Sequence, residues 1–164
     1  MTTTFTHRNL PRLLLQAREG VMAHVRPSLR EHRLSDQQWR VLRVLGELGT
    51  VETGRVAREA FILGPSLTGV LVRMERDGLV RRKRDPADQR RTVVEATAKG
   101  LKLVGRLSHT VQAHYRWLEK ALGKDKLGQL YGLLDELIEL EHPAMSHRQS
   151  LRAGGVAHDA EMAR

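Results

Sequence analysis

The sequence predicts a mainly α fold with one small β-hairpin, and three observations predict it. Apolar residues recur at three- and four-residue spacing through most of the 164-residue chain, the period of buried helix faces. Two segments break that period: a basic run at 79–84 and the run Thr92–Ala96, rich in β-branched residues. Between them, Asp85-Pro86-Ala87-Asp88 has the chemistry of a turn. A helix that stops at Asp77-Gly78 and runs into a hairpin with cations at its tip is the plan of a winged helix-turn-helix lobe.

Each element follows in order. Residues 1–8 read as a loose arm. Asn9 is a helix N-cap, with Pro11 in the first turn, where a missing N–H costs nothing. Leu10, Leu14, Ala17, Val21 and Val25 then mark the first helix, which Pro27 is expected to kink or interrupt. Ser35-Asp36-Gln37-Gln38 is a capping box: the Ser35 hydroxyl accepts from the Gln38 N–H while the Gln38 side chain reaches back. It opens a second helix over 36–48, with Trp39, Leu42 and Leu45 on one side and Gly49 at its end. A third, short helix over about 54–61 buries Val56, Ala57 and Ala60. The fourth, over about 65–77, has Leu67, Val70, Leu71 and Met74 as its apolar set. Strands at 79–84 and 92–96 form the hairpin. Thr97 caps a fifth helix over 98–122, whose stripe is Leu101, Val104, Ser108, Val111, Tyr115, Leu118 and Leu122. Gly123 breaks it. A sixth helix, about 126–141, carries Leu127, Leu130, Tyr131, Leu134, Leu137 and Ile138. Pro143 stops it, and residues 142–164 are expected to be a disordered tail. The stripes of the first, fifth and sixth helices need a partner, which a second copy supplies in a homodimer.

Composition narrows the function. The formal net charge of +9 favours a polyanionic partner, nucleic acid first. The absence of cysteine excludes disulfides, thiolate zinc sites, iron–sulfur clusters and thiol redox sensing. No apolar run approaches the ~20 residues that span a bilayer, and the N-terminal residues lack a signal-peptide core. No membrane partner is expected, and the location is expected to be cytoplasmic. Gly64-Pro-Ser-Leu-Thr-Gly69 lacks the lysine of a phosphate-binding loop, and no G-x-S-x-G elbow is present. No catalytic residue, cofactor or enzymatic activity is expected. His24 and His32, or His109 and His114, do not have the i, i+4 spacing of a ligand pair, so no metal site is expected.

The fourth helix has a second face, Ser66, Gly69, Arg73 and Arg76, with Thr68 beside it and Pro65 at its start. Small residues let a helix enter a groove closely, N-terminal N–H groups suit phosphate, and arginine reads guanine bidentately. Between Arg81 and Arg91 six cations (Arg81, Arg82, Lys83, Arg84, Arg90, Arg91) face two acids. Like charges packed this way point to a polyanion. Arg82, Arg84, Arg90 and Arg91 are the candidate wing contacts, with Asp88 expected to aim the Arg90 guanidinium into a narrow minor groove.

From about Leu10 to Glu141 the order of elements resembles the MarR family of winged-helix regulators. The specific signs are Asp85-Pro-Ala-Asp88-Gln-Arg90, similar to the family's wing motif, and Thr97-Ala-Lys-Gly100, similar to the opening of its fifth helix. Ala96 stands where the family usually has leucine, which thins one core contact. Leu14-Leu-Gln-Ala-Arg-Glu19 with Arg26-Pro-Ser-Leu29, Leu34-Ser-Asp-Gln-Gln-Trp-Arg40, and Leu63-Gly-Pro-Ser-Leu-Thr-Gly-Val-Leu71 resemble the subgroup that represses homoprotocatechuate degradation. Regulators of other aromatic-acid operons, nicotinate degradation included, share this look. The resemblance implies a MarR-type domain over 1–141, with the lobe at 34–97 and dimerisation helices at 9–33 and 98–141. It implies a triangular homodimer on a pseudo-palindromic operator, with half-sites ~10 bp apart. It also implies repression relieved by a small aromatic acid bound between dimer helices and lobe. Activation by the same docking, and a sequence-independent architectural role, are the alternatives.

An aromatic carboxylate needs a cation, a flat apolar wall and one or two hydroxyl partners. Arg18, Trp39, Arg40, His114 and Tyr115 are the effector candidates at that junction. Four of them have a competing structural role: Trp39 and Tyr115 in core packing, Arg18 and His114 at the surface or in a dimer ion pair.

Overall fold

The computed structural model describes residues 6–140, so the expected tail at 142–164, with Pro143, lies outside the described residues. The elements run α1 (Leu10–Glu31), α2 (Asp36–Leu48), β1 (Val51–Glu52), α3 (Thr53–Glu59), α4 (Gly64–Arg76), β2 (Val80–Arg84), β3 (Thr92–Ala96), α5 (Ala98–Leu122) and α6 (Lys124–Glu139). The described residues fall into two compact units that divide between Arg116 and Trp117, within α5.

In the first unit, α2, α3 and α4 pack around a three-stranded antiparallel sheet of order β1-β3-β2. Arg81 pairs with Glu95 and Lys83 with Val93 in the β2–β3 ladder, and Val51 pairs with Val94 across β1–β3. β3 is therefore central, and both Val93 and Val94 are buried. The two-residue strand β1 is absent from the sequence reading because it is too short to show a period. The core joins Leu29 of α1, Trp39, Leu42 and Leu45 of α2, Val56 of α3, Leu67, Leu71 and Met74 of α4, and Leu107 of α5.

The expected caps form. Asn9 accepts from the Arg12 N–H, and the Ser35–Gln38 capping box is reciprocal. Pro27 does not interrupt α1, which continues to Glu31. Ala23 and Pro27 are exposed, so the carbonyl that loses its donor faces water while Val25 and Leu29 stay packed.

Three helices end in the same way, with the chain turning through a left-handed residue. α4 does so at Gly78 (φ 69°), where the Leu79 N–H donates to the Met74 carbonyl. α1 does so at Arg33 (φ 56°), with Leu34 donating to Leu29. α3 does so at Phe61 (φ 49°), with Ile62 donating to Ala57. Glycine adopts this conformation freely; the arginine and phenylalanine each hold it at a cost of roughly 1–2 kcal/mol.

The buried face of α5 differs from the expected stripe. Gly100, Leu107 and His114 turn inward, with Leu103, Val104 and Val111 packed against the core; Leu101 and Tyr115 are exposed. Gly100 sets this rotation, because a Cβ there would lie 2.2 Å from the Leu79 carbonyl oxygen. Thr97 fixes the same junction. Its hydroxyl donates to the Gly78 carbonyl at 2.7 Å and accepts from the Gly100 N–H at 3.1 Å.

In the second unit, α6 begins earlier than expected, at Lys124, with Gly123 (φ 87°) as its N-cap. None of its residues is buried, and Leu130, Tyr131, Leu133 and Ile138 are exposed.

Candidate functional site

The lobe presents two elements suited to a polyanion: α4, with an uncapped first turn and Arg73 and Arg76 in its last, and the β2–β3 hairpin. α4 opens at Gly64-Pro65-Ser66 with no side-chain cap on its first turn, so the Gly64 and Ser66 N–H groups remain available to an anion. Ser66 and Thr68 are exposed there, and Gly69 is half-buried. The Arg73 guanidinium folds back along the helix to within 3.6 Å of the position a Cβ on Gly69 would take. Arg73 thus reaches back from the last turn of α4 toward Gly69. Arg76, in the same turn, pairs with Asp77 at 3.3 Å.

Carboxylates divide the hairpin's cations into two groups. Glu95 takes both Arg81 and Lys83, the latter at 2.7 Å, and the two cations hold its carboxyl down at about 2, the Lys83 ammonium first and the Arg81 guanidinium second. Glu75 of α4 accepts from the Arg82 backbone N–H at 2.9 Å and from its guanidinium at 2.7 Å, which lowers the Glu75 carboxyl below its ordinary value. Arg91 pairs with Asp88 at 3.2 Å and lies 3.7 Å from Glu52. Arg73, Arg84 and Arg90 have no carboxylate within ion-pairing distance among the described residues.

Two sequence expectations change as a result. Asp88 does not aim the Arg90 guanidinium; it accepts from the Arg90 backbone N–H at 3.0 Å, which shapes the turn, and its other oxygen holds Arg91. Arg82 is committed to α4 because alternation along β2 puts Val80, Arg82 and Arg84 on the face toward that helix. The tip itself is closed by Asp85, whose N–H donates to the Arg91 carbonyl and whose side chain accepts from the Ala87 N–H.

The sequence reading also missed Phe61 and Leu63. Both are large, apolar and strongly exposed, 86% and 80%, immediately before α4. Helical periodicity assigned Phe61 to the end of a helix, and only its left-handed backbone turns it outward.

The five effector candidates lie where α1, α2 and α5 meet. Arg18 pairs with Glu19 at 2.7 Å and lies 3.8 Å from Asp36, while Arg26 binds both carboxylates. Arg40 donates to the Ala60 and Phe61 carbonyls at 2.7 and 2.9 Å, and its Nε is buried without a hydrogen-bond partner. Burial and the neighbouring Arg18 lower the Arg40 pKa. Trp39 belongs to the core. His114 is buried and stacks on His24 of α1 at 5.0 Å; burial first and His24 second push its pKa down. Tyr115, assigned to the core by periodicity, is exposed and close to His114. Arg43 was not foreseen. It stands four residues from Trp39, pairs with Glu47 at 3.0 Å, and interacts with the Tyr115 phenol. The structure thus forms two groups, Arg18–Asp36–Arg40 and Arg43–Tyr115–His114.

Among the described residues no helix is long and apolar enough to cross a membrane. Residues 33–91 match the profile of the MarR family. The chain is 41% identical over 141 residues to the "HTH-type transcriptional regulator FarR" of Neisseria gonorrhoeae, covering 86% of this chain and 97% of that one. It is 42% identical over 134 residues to the "Homoprotocatechuate degradative operon repressor" of Escherichia coli, covering 82% and 90% respectively. The crystal structure of NadR in complex with 4-hydroxyphenylacetate superposes with a TM-score of 0.76 at 42% identity, covering 86% of this chain and all of that one. Identity at this level over nearly the whole length of these relatives, on the same winged helical lobe, makes the chain a member of the MarR family.

Proposed function

We propose that this chain is a homodimeric, sequence-specific DNA-binding repressor, released from a pseudo-palindromic operator by a small hydroxylated aromatic or heteroaromatic acid. It acts in the cytoplasm, by binding rather than catalysis, on an operon of aromatic-compound degradation. The observation that carries the reading is the division of cations. Carboxylates neutralise Arg81, Arg82, Lys83 and Arg91, and leave Arg73, Arg84 and Arg90 uncommitted on the two elements a duplex would meet. Pro65, Ser66, Thr68 and Gly69 bring the uncapped start of α4 into the major groove, and Arg73 reads base edges. Arg84 and Arg90 engage the backbone and minor groove beside it. Arg82, Asp88 and Arg91 position the wing. Phe61 and Leu63, at the head of α4, suit the thymine methyl.

The acid's carboxylate competes with Asp36 for Arg18 and with the Ala60 and Phe61 carbonyls for Arg40, and its ring lies toward Trp39, Arg43, His114 and Tyr115. Arg40 also holds the carbonyls that precede α4, so a ligand that draws on Arg40 shifts the start of the recognition helix. NadR, seen with 4-hydroxyphenylacetate, supports this chemistry for the ligand, and the operon repressor of E. coli supports the regulatory role.

The test compares binding to DNA upstream of this gene with binding to mixed-sequence DNA at physiological salt. A specificity ratio of at least ~1,000 is expected; equal affinities would indicate an architectural DNA binder instead. Adding 4-hydroxyphenylacetate at millimolar concentration should weaken operator binding at least tenfold, ~1.4 kcal/mol of coupling. By linkage the acid then binds the DNA-free form more tightly by the same factor. If no member of a panel of hydroxylated aromatic acids moves operator affinity, ligand control is wrong.

A further inference from the structure

A cleft of about 840 Å³ opens in the first unit; among its lining residues only Arg76 belongs to the DNA face expected from sequence, and none is a candidate for the aromatic acid. Arg33 at the end of α1, Arg76 at the end of α4, and Lys99, Lys102 and Arg106 of α5 surround it, with Asp77 as the single carboxylate. Leu79 and Leu103 form an apolar floor. Lys99, Lys102 and Arg106 follow spacings of three and four, so they stack on one face of α5, where like charges repel. Their neighbours do not relieve them. Asp77 is taken by Arg76, and Lys99 donates to the Asp77 backbone carbonyl at 2.7 Å. Arg33, Lys102 and Arg106 have no carboxylate partner among the described residues. Arg33 also occupies a left-handed position that glycine would fill without strain, φ 56°, so its side chain is kept there against the backbone's preference.

We infer that this cleft is a second ligand site, for a small anion carrying two or more phosphate groups. A monoanion would leave most of the five cations uncompensated. A diphosphate has the charge to bridge them, and the fork of arginine suits phosphate oxygens bidentately. The duplex is a poor occupant. Arg76 is paired with Asp77 at 3.3 Å, and the cleft lies at the opposite end of α4 from the uncapped first turn that presents its N–H groups. The bound anion ties the end of α1, the end of α4 and the first turns of α5 together. It shares no residue with the junction of Arg18, Arg40 and Tyr115.

Calorimetric titration of the full chain with inorganic pyrophosphate tests the inference, with ATP as a second probe. Saturable binding of one pyrophosphate per chain is expected. The double variant Lys102→Gln/Arg106→Gln should weaken it at least about tenfold, and Lys102→Gln alone by a smaller factor. Arg33→Gly should weaken it while relieving backbone strain, which separates the side chain's role from stability. The wing variant Arg84→Gln/Arg90→Gln should bind pyrophosphate as wild type does. Tighter binding of ATP than of pyrophosphate assigns the apolar floor to a nucleoside; the reverse assigns the site to inorganic polyphosphate. Unchanged pyrophosphate binding in the cleft variants, or its loss in the wing variant, overturns the site. So does a fall of about two in the salt slope of mixed-sequence DNA binding when Lys102 and Arg106 are replaced, at ~0.9 per lost phosphate contact, because the cleft would then be part of the DNA face.

Discussion

Glu75, Glu95 and Asp88 decide which hairpin cations are free to act. Arg90→Ala should weaken operator binding by roughly 1–3 kcal/mol and leave the melting temperature unchanged, because Arg90 gives the fold only a backbone N–H. Arg82→Ala should show the opposite pattern, lowering the melting temperature by removing the guanidinium–Glu75 pair and leaving only the backbone N–H of residue 82 to tie Glu75 to β2. Parallel mobility-shift and thermal-melt measurements separate the two; equal effects from both variants would refute the division. Acid probes Glu95 directly. Its carboxyl is held down at about 2 by Lys83 and Arg81, against an ordinary 4.5. A depressed carboxylate contributes stability that is fully present above 4.5 and lost as pH falls toward 2. An NMR titration of the Glu95 side chain should therefore find its midpoint near 2, and Glu95→Gln should remove that part of the acid sensitivity. A midpoint near 4.5 would mean that the ion pairs do not persist in solution.

At the level of elements, junctions matter more than the helices themselves. The contact of α5 with the strand region depends on Gly100, where a Cβ would overlap the backbone carbonyl of Leu79. Gly100→Ala should cost about 1–3 kcal/mol by overpacking, and the loss should appear as a lower denaturation midpoint with an unchanged slope. Arg33→Gly should act in the opposite direction, stabilising the α1–α2 turn by about 1 kcal/mol as the left-handed strain is released. Phe61 sits in the same kind of turn between α3 and α4. That two of these three positions carry large side chains, while α4 ends on glycine, marks Arg33 and Phe61 as residues kept for what they present outward.

The whole molecule is incomplete as a single chain. Leu10, Leu14 and Leu15 of α1 are exposed, and so are Leu130, Tyr131, Leu133 and Ile138 of α6. Apolar faces of this extent mark an association surface, and the proposed homodimer covers them. Mass measurement at micromolar concentration should give twice 18.6 kDa, and Leu130→Glu should shift the mass toward monomer and abolish operator binding together. A wild-type monomer, or a monomeric variant that still binds the operator at full affinity, would dismiss the dimer from the mechanism. The two-lobed arrangement also predicts protection of two half-sites about one helical turn apart, ~10 bp.

Local chemistry in the sequence determined the caps at Asn9, Ser35 and Thr97, the turn at Asp85–Asp88, and the limits of α2, β3 and α5, because each depends on neighbours within about four residues. The family was legible for the same reason: its motifs lie in those turns. Tertiary structure decided the rest. The rotation of α5 follows from one close approach between Gly100 and Leu79, so the apolar stripe read from periodicity placed Tyr115 inside and overlooked Leu107. The roles of the cations follow from pairings across 7 to 39 residues, Arg82 with Glu75, Arg81 with Glu95 and Arg91 with Glu52. Composition can count such charges but cannot pair them. Whether an arginine meets a carboxylate or remains available to a polyanion is settled only when strand register and helix packing bring distant residues to within ion-pairing distance.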